Sequence, residues 1–62
     1  MTNQEKAVAY DDYLRAVDNR QREISKLKSE YAGNIPDNIQ LRINDLNKQI
    51  SNLVIKTENL FR

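Results

Sequence analysis

Along the second half of the chain, Ile39, Ile43, Leu46, Ile50, Leu53, Thr57 and Leu60 follow one another at alternating steps of four and three, and all but Thr57 are apolar. Such spacing returns a residue to one stripe of a helix about every 3.5 positions, the pattern of a coiled-coil seam. The first half holds a matching series, Tyr10, Tyr13, Val17, Arg20, Ile24, Leu27 and Tyr31. Reflection about Ile35 pairs the two: Tyr31 with Ile39, Leu27 with Ile43, Ile24 with Leu46, Arg20 with Ile50, Val17 with Leu53, Tyr13 with Thr57 and Tyr10 with Leu60. The pattern predicts a single all-α domain, an antiparallel two-helix hairpin of coiled-coil type.

Local signals place the ends of the two helices. Thr2-Asn3-Gln4-Glu5 has the form of a capping box, so the first helix is expected over about residues 3–32. The only glycine, Gly33, stands where a left-handed helix cap would fall, with Ile35 placed for the accompanying apolar contact. The only proline, Pro36, suits the first turn of the second helix. Asn34 or Asp37 could serve as its N-cap, the latter with Gln40 as a second box. The turn is thus expected at 33–36 and the second helix over about 37–61. At 1.5 Å per residue the helices would be roughly 45 Å and 36 Å long, so residues 1–6 would overhang.

Several residues depart from an apolar seam. Arg20 faces Ile50, and a guanidinium is costly to bury without acceptors. Its stem can pack while its head reaches solvent or an acid such as Glu23; alternatively it fixes register or partner choice, as polar seam residues do in some coiled coils. Tyr13 opposite Thr57 offers a pair of hydroxyls, and tyrosine suits half-wet positions and contact surfaces alike.

Apolar residues outside the seam are unevenly placed. Val8 and Leu14 on the first helix and Val54, Ile55 and Phe61 on the second gather, once the chain folds back, at the open end opposite the turn. They either widen the helix stripes to the ordinary width of a globular core or form a docking surface, and both readings require another chain. A two-helix seam buries one narrow stripe per helix, a thin return against the entropy of ordering the backbone. The candidate partner-binding set is therefore Val8, Tyr10, Tyr13, Leu14, Val54, Ile55, Leu60 and Phe61, with Arg20 governing specificity. Leu41 and Ile55, on the outer line of the second helix, point to a further contact. The partner is expected to be a protein, a second copy or a larger one, with self-association completing a four-helix bundle.

Composition narrows the chemistry. Neither cysteine nor histidine occurs among the 62 residues, which removes disulfides, thiol and imidazole chemistry and the usual zinc sites. Asp11 and Asp12 are adjacent, so on a helix they point about 100° apart and do not share a ligand. Asp11 with Arg15, Asp18 with Arg22 and Lys26 with Glu30 are one-turn pairs on a solvated face. No nucleophile with a base, glycine-rich loop or ligand cluster can be assembled, so neither enzymatic activity nor a cofactor is expected. Ten basic and nine acidic residues give a net charge of +1. Arg15, Arg20, Arg22, Lys26 and Lys28 make the middle of the first helix locally basic, but acids interleave them, unlike the concentrated stripe that phosphates demand. The longest apolar run, Leu53-Val54-Ile55, cannot span a bilayer, and the N-terminal stretch lacks a signal-peptide core. The expected location is the cytoplasm or the interior of a protein particle such as a virion.

The opening Met1-Thr2-Asn3-Gln4-Glu5-Lys6, with the hairpin design, resembles the Rop family of plasmid copy-number regulators. That resemblance implies a homodimeric four-helix bundle that binds paired RNA loops. It ends at Lys6, and the aromatic RNA-face residue of that family has no counterpart here, so the RNA activity is not carried over. The segment from Asn47-Lys48-Gln49-Ile50 through Leu60-Phe61-Arg62 is similar to the coiled-coil ends of phage capsid scaffolding proteins. The leading expectation is a small assembly factor, adaptor or inhibitor, of phage or mobile-element type, acting through apolar helix packing. The alternative is a Rop-like RNA-binding regulator.

Overall fold

A computed structural model describes residues 2–60; Met1, Phe61 and Arg62 lie outside them. Two helices, α1 (Asn3–Glu30) and α2 (Asp37–Asn59), pack against each other, and the described residues contain no strand. The molecule measures 47 × 15 × 11 Å. At 1.5 Å per residue α1 is about 42 Å long and α2 about 35 Å, so the first turns of α1 run past the end of its partner.

The start of α1 follows its sequence signal. The Thr2 hydroxyl accepts the backbone N–H of Glu5 at 3.1 Å, occupying one of the donors that a helix start leaves unpaired. The turn differs from the expectation. Gly33 does not adopt a positive φ. The helix ends two residues earlier than anticipated, at Glu30, with Tyr31 at φ −114° and ψ 32° as its cap. The Tyr31 N–H still donates to the Leu27 carbonyl at 3.1 Å, and the Asn34 N–H donates to the Tyr31 carbonyl at 3.1 Å. A reverse turn over 31–34 therefore stands in place of a left-handed cap, covering the Leu27 and Tyr31 carbonyls, and its backbone is open to any L-residue. Ile35 does pack on the core, as its position suggested.

The entry to α2 is also corrected. Pro36 is the N-cap, at φ −60° and ψ 153°, and its carbonyl accepts the Gln40 N–H at 2.9 Å. Neither Asn34 nor Asp37 caps with its side chain. The anticipated second box fails because the Gln40 side chain turns forward and donates to Asn44 Oδ1 at 3.0 Å. Asp37 instead supplies a negative charge in the first turn, where the helix dipole favours it. At its far end α2 gives way to a turn at Leu60, whose N–H reaches the carbonyls of Lys56 and Thr57.

The seam is as the sequence predicts along all of α2: Ile43 and Leu46 are buried at 2 % exposure, and Ile39, Ile50, Leu53, Thr57 and Leu60 are half-buried. On α1, Ile24 is buried and Tyr13, Val17, Arg20, Leu27 and Tyr31 are half-buried. Tyr10 is exposed; on its turn of the helix Lys6 and Ala9 are the covered residues. The core is the cluster Ile24, Ile43 and Leu46, with Leu27, Ile35, Ile39 and Ile50 packed around it. Every one of these residues lies in the half of the hairpin nearer the turn.

Candidate interaction surface

The two helices meet along a polar flank and an apolar one. Lettering the seam as heptads puts Tyr10, Val17, Ile24, Tyr31, Ile43, Ile50 and Thr57 at a, and Tyr13, Arg20, Leu27, Ile39, Leu46, Leu53 and Leu60 at d. In an antiparallel pair the g positions of both helices border one side of the seam and the e positions the other. The g side carries Ala9, Ala16, Glu23 and Glu30 on α1 and Arg42, Gln49 and Lys56 on α2.

The g side is closed by polar contacts. Arg42 Nη2 lies 2.9 Å from Glu23 Oε2 across the helices, and its Nη1 lies 3.6 Å from Asp45 on its own helix. The Glu23 oxygen is shielded from solvent and its contact with Arg42 is an off-line ion pair, since no well-aligned hydrogen bond reaches it. One turn away, Arg20 Nε donates to Gln49 Oε1 at 2.8 Å and Nη1 donates to the Ala16 carbonyl at 2.9 Å. Gln49 Nε2 in turn donates to Asp45 at 2.8 Å, so Gln49 links Arg20 to the Arg42 network. The expectation that the Arg20 head would reach solvent or an acid such as Glu23 is thus corrected: Arg42 holds that acid. Arg20 finds two neutral acceptors and, with Gln49, Asn52, Leu53 and Lys56, lines a shallow groove of about 220 Å³.

The Tyr13 and Thr57 hydroxyls do not pair with one another; Thr57 Oγ1 donates to the Leu53 carbonyl of its own helix at 2.8 Å. The solvated pairs expected on the outer face are present: Arg15 with Asp11 at 3.1 Å, Arg22 with Asp18 at 3.0 Å and Lys26 with Glu30 at 4.0 Å. Arg15 and Arg22 are thereby each paired within their own helix.

The e side is open. Its described residues are Ala7, Leu14, Gln21 and Lys28 on α1 and Gln40, Asn47 and Val54 on α2, all exposed. Lys28 is the single charge among them. Leu14 is 46 % exposed and Val54 43 %, and the seam reflection about Ile35 puts these two within two residues of one level, about 3 Å, toward the open end. Tyr10 and Val17, at neighbouring a positions, border them. Val8 and Ile55 are exposed too, but at f positions, on the outward faces of α1 and α2. Leu41, 68 % exposed, lies on the same outward line as Ile55. Tyr13 and Leu60 are half-buried in the seam, and Phe61 lies outside the described residues.

The candidate surface therefore divides: Tyr10, Leu14 and Val54 share a flank, whereas Val8 and Ile55 face elsewhere. Among the described residues no cluster of His, Cys, Asp or Glu could hold a metal, and no helix is long and apolar enough to cross a membrane. The chain matches no family profile, no curated protein and no solved structure.

Proposed function

We propose that the chain is a non-enzymatic protein–protein interaction module that docks by helix packing on the apolar flank at its open end, in the manner of an assembly factor, adaptor or inhibitor. The observation that carries this reading is the contrast between the flanks. The g side is closed by the Glu23–Arg42 and Arg20–Gln49 contacts, while the e side offers Leu14 and Val54 to solvent with almost no charge. Interface cores are depleted of charge in the same way. An accompanying partner would complete the helical layers, with a four-helix bundle the simplest closed form. The acids interleaved on α1 weigh against an RNA-binding regulator, because Asp11 and Asp18 beside Arg15 and Arg22 leave no concentrated positive stripe to meet phosphates.

The test is photo-crosslinking in the native host, from a photoreactive residue placed at position 54 and, as control, at position 22. Protein adducts from 54 and none from 22 are the expected result. RNA adducts, or adducts equal at both positions, would overturn the reading.

A further inference from the structure

We infer that the occupant of the e flank is a second copy of this chain, set face to face with its turn at the same end, so that Leu14 of each copy rests on Val54 of the other. This rests on the docking reading above and names its partner. The first support is area. A monomeric globular protein of 7.3 kDa exposes roughly 4,200 Å², whereas this chain exposes 4809 Å². The excess, roughly 600 Å² per chain, comes with the rod shape of 47 × 15 × 11 Å, and covering that much on each of two copies would reach the lower end of stable interfaces, which bury about 1,200–2,000 Å² in total.

The second support is charge. A two-fold interface brings a surface against itself, so any charge on it must tolerate its own image. On the g flank Glu23 and Arg42 are committed to each other across the hairpin and Glu30 pairs with Lys26, while Lys56 stands as a further charge. The described e flank carries one base and no acid, and polar Gln, Asn and apolar Leu, Val otherwise.

The third support is level. A two-fold axis parallel to the helices sets α1 of one copy over α2 of the other at unchanged height. Leu14 and Val54 stand near one height, so both reciprocal contacts form together. The apolar half of each flank then meets the apolar half of the other, and Lys28 meets the amides of Gln40 and Asn47. An axis perpendicular to the helices would oppose Leu14 to Leu14 instead, or carry the apolar half onto the polar one.

The experiment compares the full chain with Leu14→Glu and Val54→Lys variants, singly and mixed, by sedimentation over a wide concentration range with helicity followed alongside. The parent chain should double its mass with rising concentration. Each variant alone should associate at least about tenfold more weakly, since each interface then holds two unmatched buried charges. An equimolar mixture should form a one-to-one heterodimer and recover the helicity that either variant has lost. In that heterodimer the glutamate introduced at position 14 of one chain meets the lysine introduced at position 54 of the other, and the unaltered Val54 and Leu14 form the reciprocal contact.

A parent chain that stays monomeric throughout overturns the second copy while leaving docking on a foreign protein intact, which the crosslinks from position 54 would then reveal. Variants that still dimerise overturn this flank. Variants that separate without rescue on mixing overturn the reciprocal Leu14–Val54 contact.

Discussion

The half of the hairpin near the turn and the half near the termini are built from the same heptad pattern, yet they differ in what they bury. Near the turn, Ile24, Ile43 and Leu46 are enclosed by Leu27, Ile35, Ile39 and Ile50, and the Glu23–Arg42 pair shuts one side. Near the termini no described residue is buried; Val17, Leu53 and Thr57 are half-covered and Leu14 and Val54 exposed. The difference arises from what stands beside the seam. The turn supplies Ile35 as a third wall, whereas at the open end the closed side has Ala9 and Ala16 on α1 and the exposed Lys56 on α2. Periodicity alone therefore does not make a core: a stripe of apolar residues becomes one only where a third surface covers it.

The sharpest break of this contrast is Leu46→Ala. It leaves a cavity in the enclosed cluster, and about 2–5 kcal/mol is the usual cost. That exceeds what so small a core holds in reserve, so helicity by circular dichroism should collapse. Leu53→Ala, the same change in the half-covered region, should cost well under half as much in the isolated chain. Equal losses would mean that the two halves are equally packed.

Arg20→Leu should act in the opposite direction. The guanidinium sits part-buried on neutral acceptors and touches no carboxylate, so an apolar replacement removes desolvation and adds seam contact. A rise of about 1 kcal/mol in stability to urea is expected; a loss would show that the Gln49 bridge contributes more than its desolvation costs. Thr2→Ala should cost about 1 kcal/mol of local helix stability by removing the hydroxyl cap. Amide exchange should report that loss in the first turns of α1 alone, leaving residues 24–27 and 43–46 protected.

Smallest is Gly33→Ala. A Cβ there meets no atom within 4 Å and the backbone is not left-handed, so alanine should raise stability by roughly 0.4–1 kcal/mol through the unfolded chain. A loss on thermal melting would contradict the reverse turn over 31–34.

Much of this was legible in the residues. The seam of α2 follows from spacing, since Ile and Leu recur there at every position but Thr57, while the outward line of Leu41 and Ile55 is broken by Lys48. The seam of α1 was harder at its start, where Tyr10 competes with Ala9 for the inward position and the small alanine leaves no mark on an apolar count. The Glu23–Arg42 link was not foreseen, although lettering both helices as heptads and aligning the g positions would have found it. The turn misled for a different reason. Glycine is frequent at left-handed caps because it tolerates them, but a reverse turn uses it as readily and leaves no separate trace. On the candidate surface, the gathering of Leu14 and Val54 was readable from the reflection; the separation of Val8 and Ile55 from them needed the angular position of each.

The proline at the head of α2 carries one more consequence. Two such helices could in principle straighten into a single rod and exchange arms with a neighbour, and nothing in the backbone of Ala32, Gly33 or Asn34 forbids it. Continuing the helix through position 36 would forfeit an amide donor and drive the pyrrolidine ring into the preceding turn, at about 3 kcal/mol. Pro36 thus biases the chain against the straightened rod, favouring any assembly of closed hairpins over an exchange of arms.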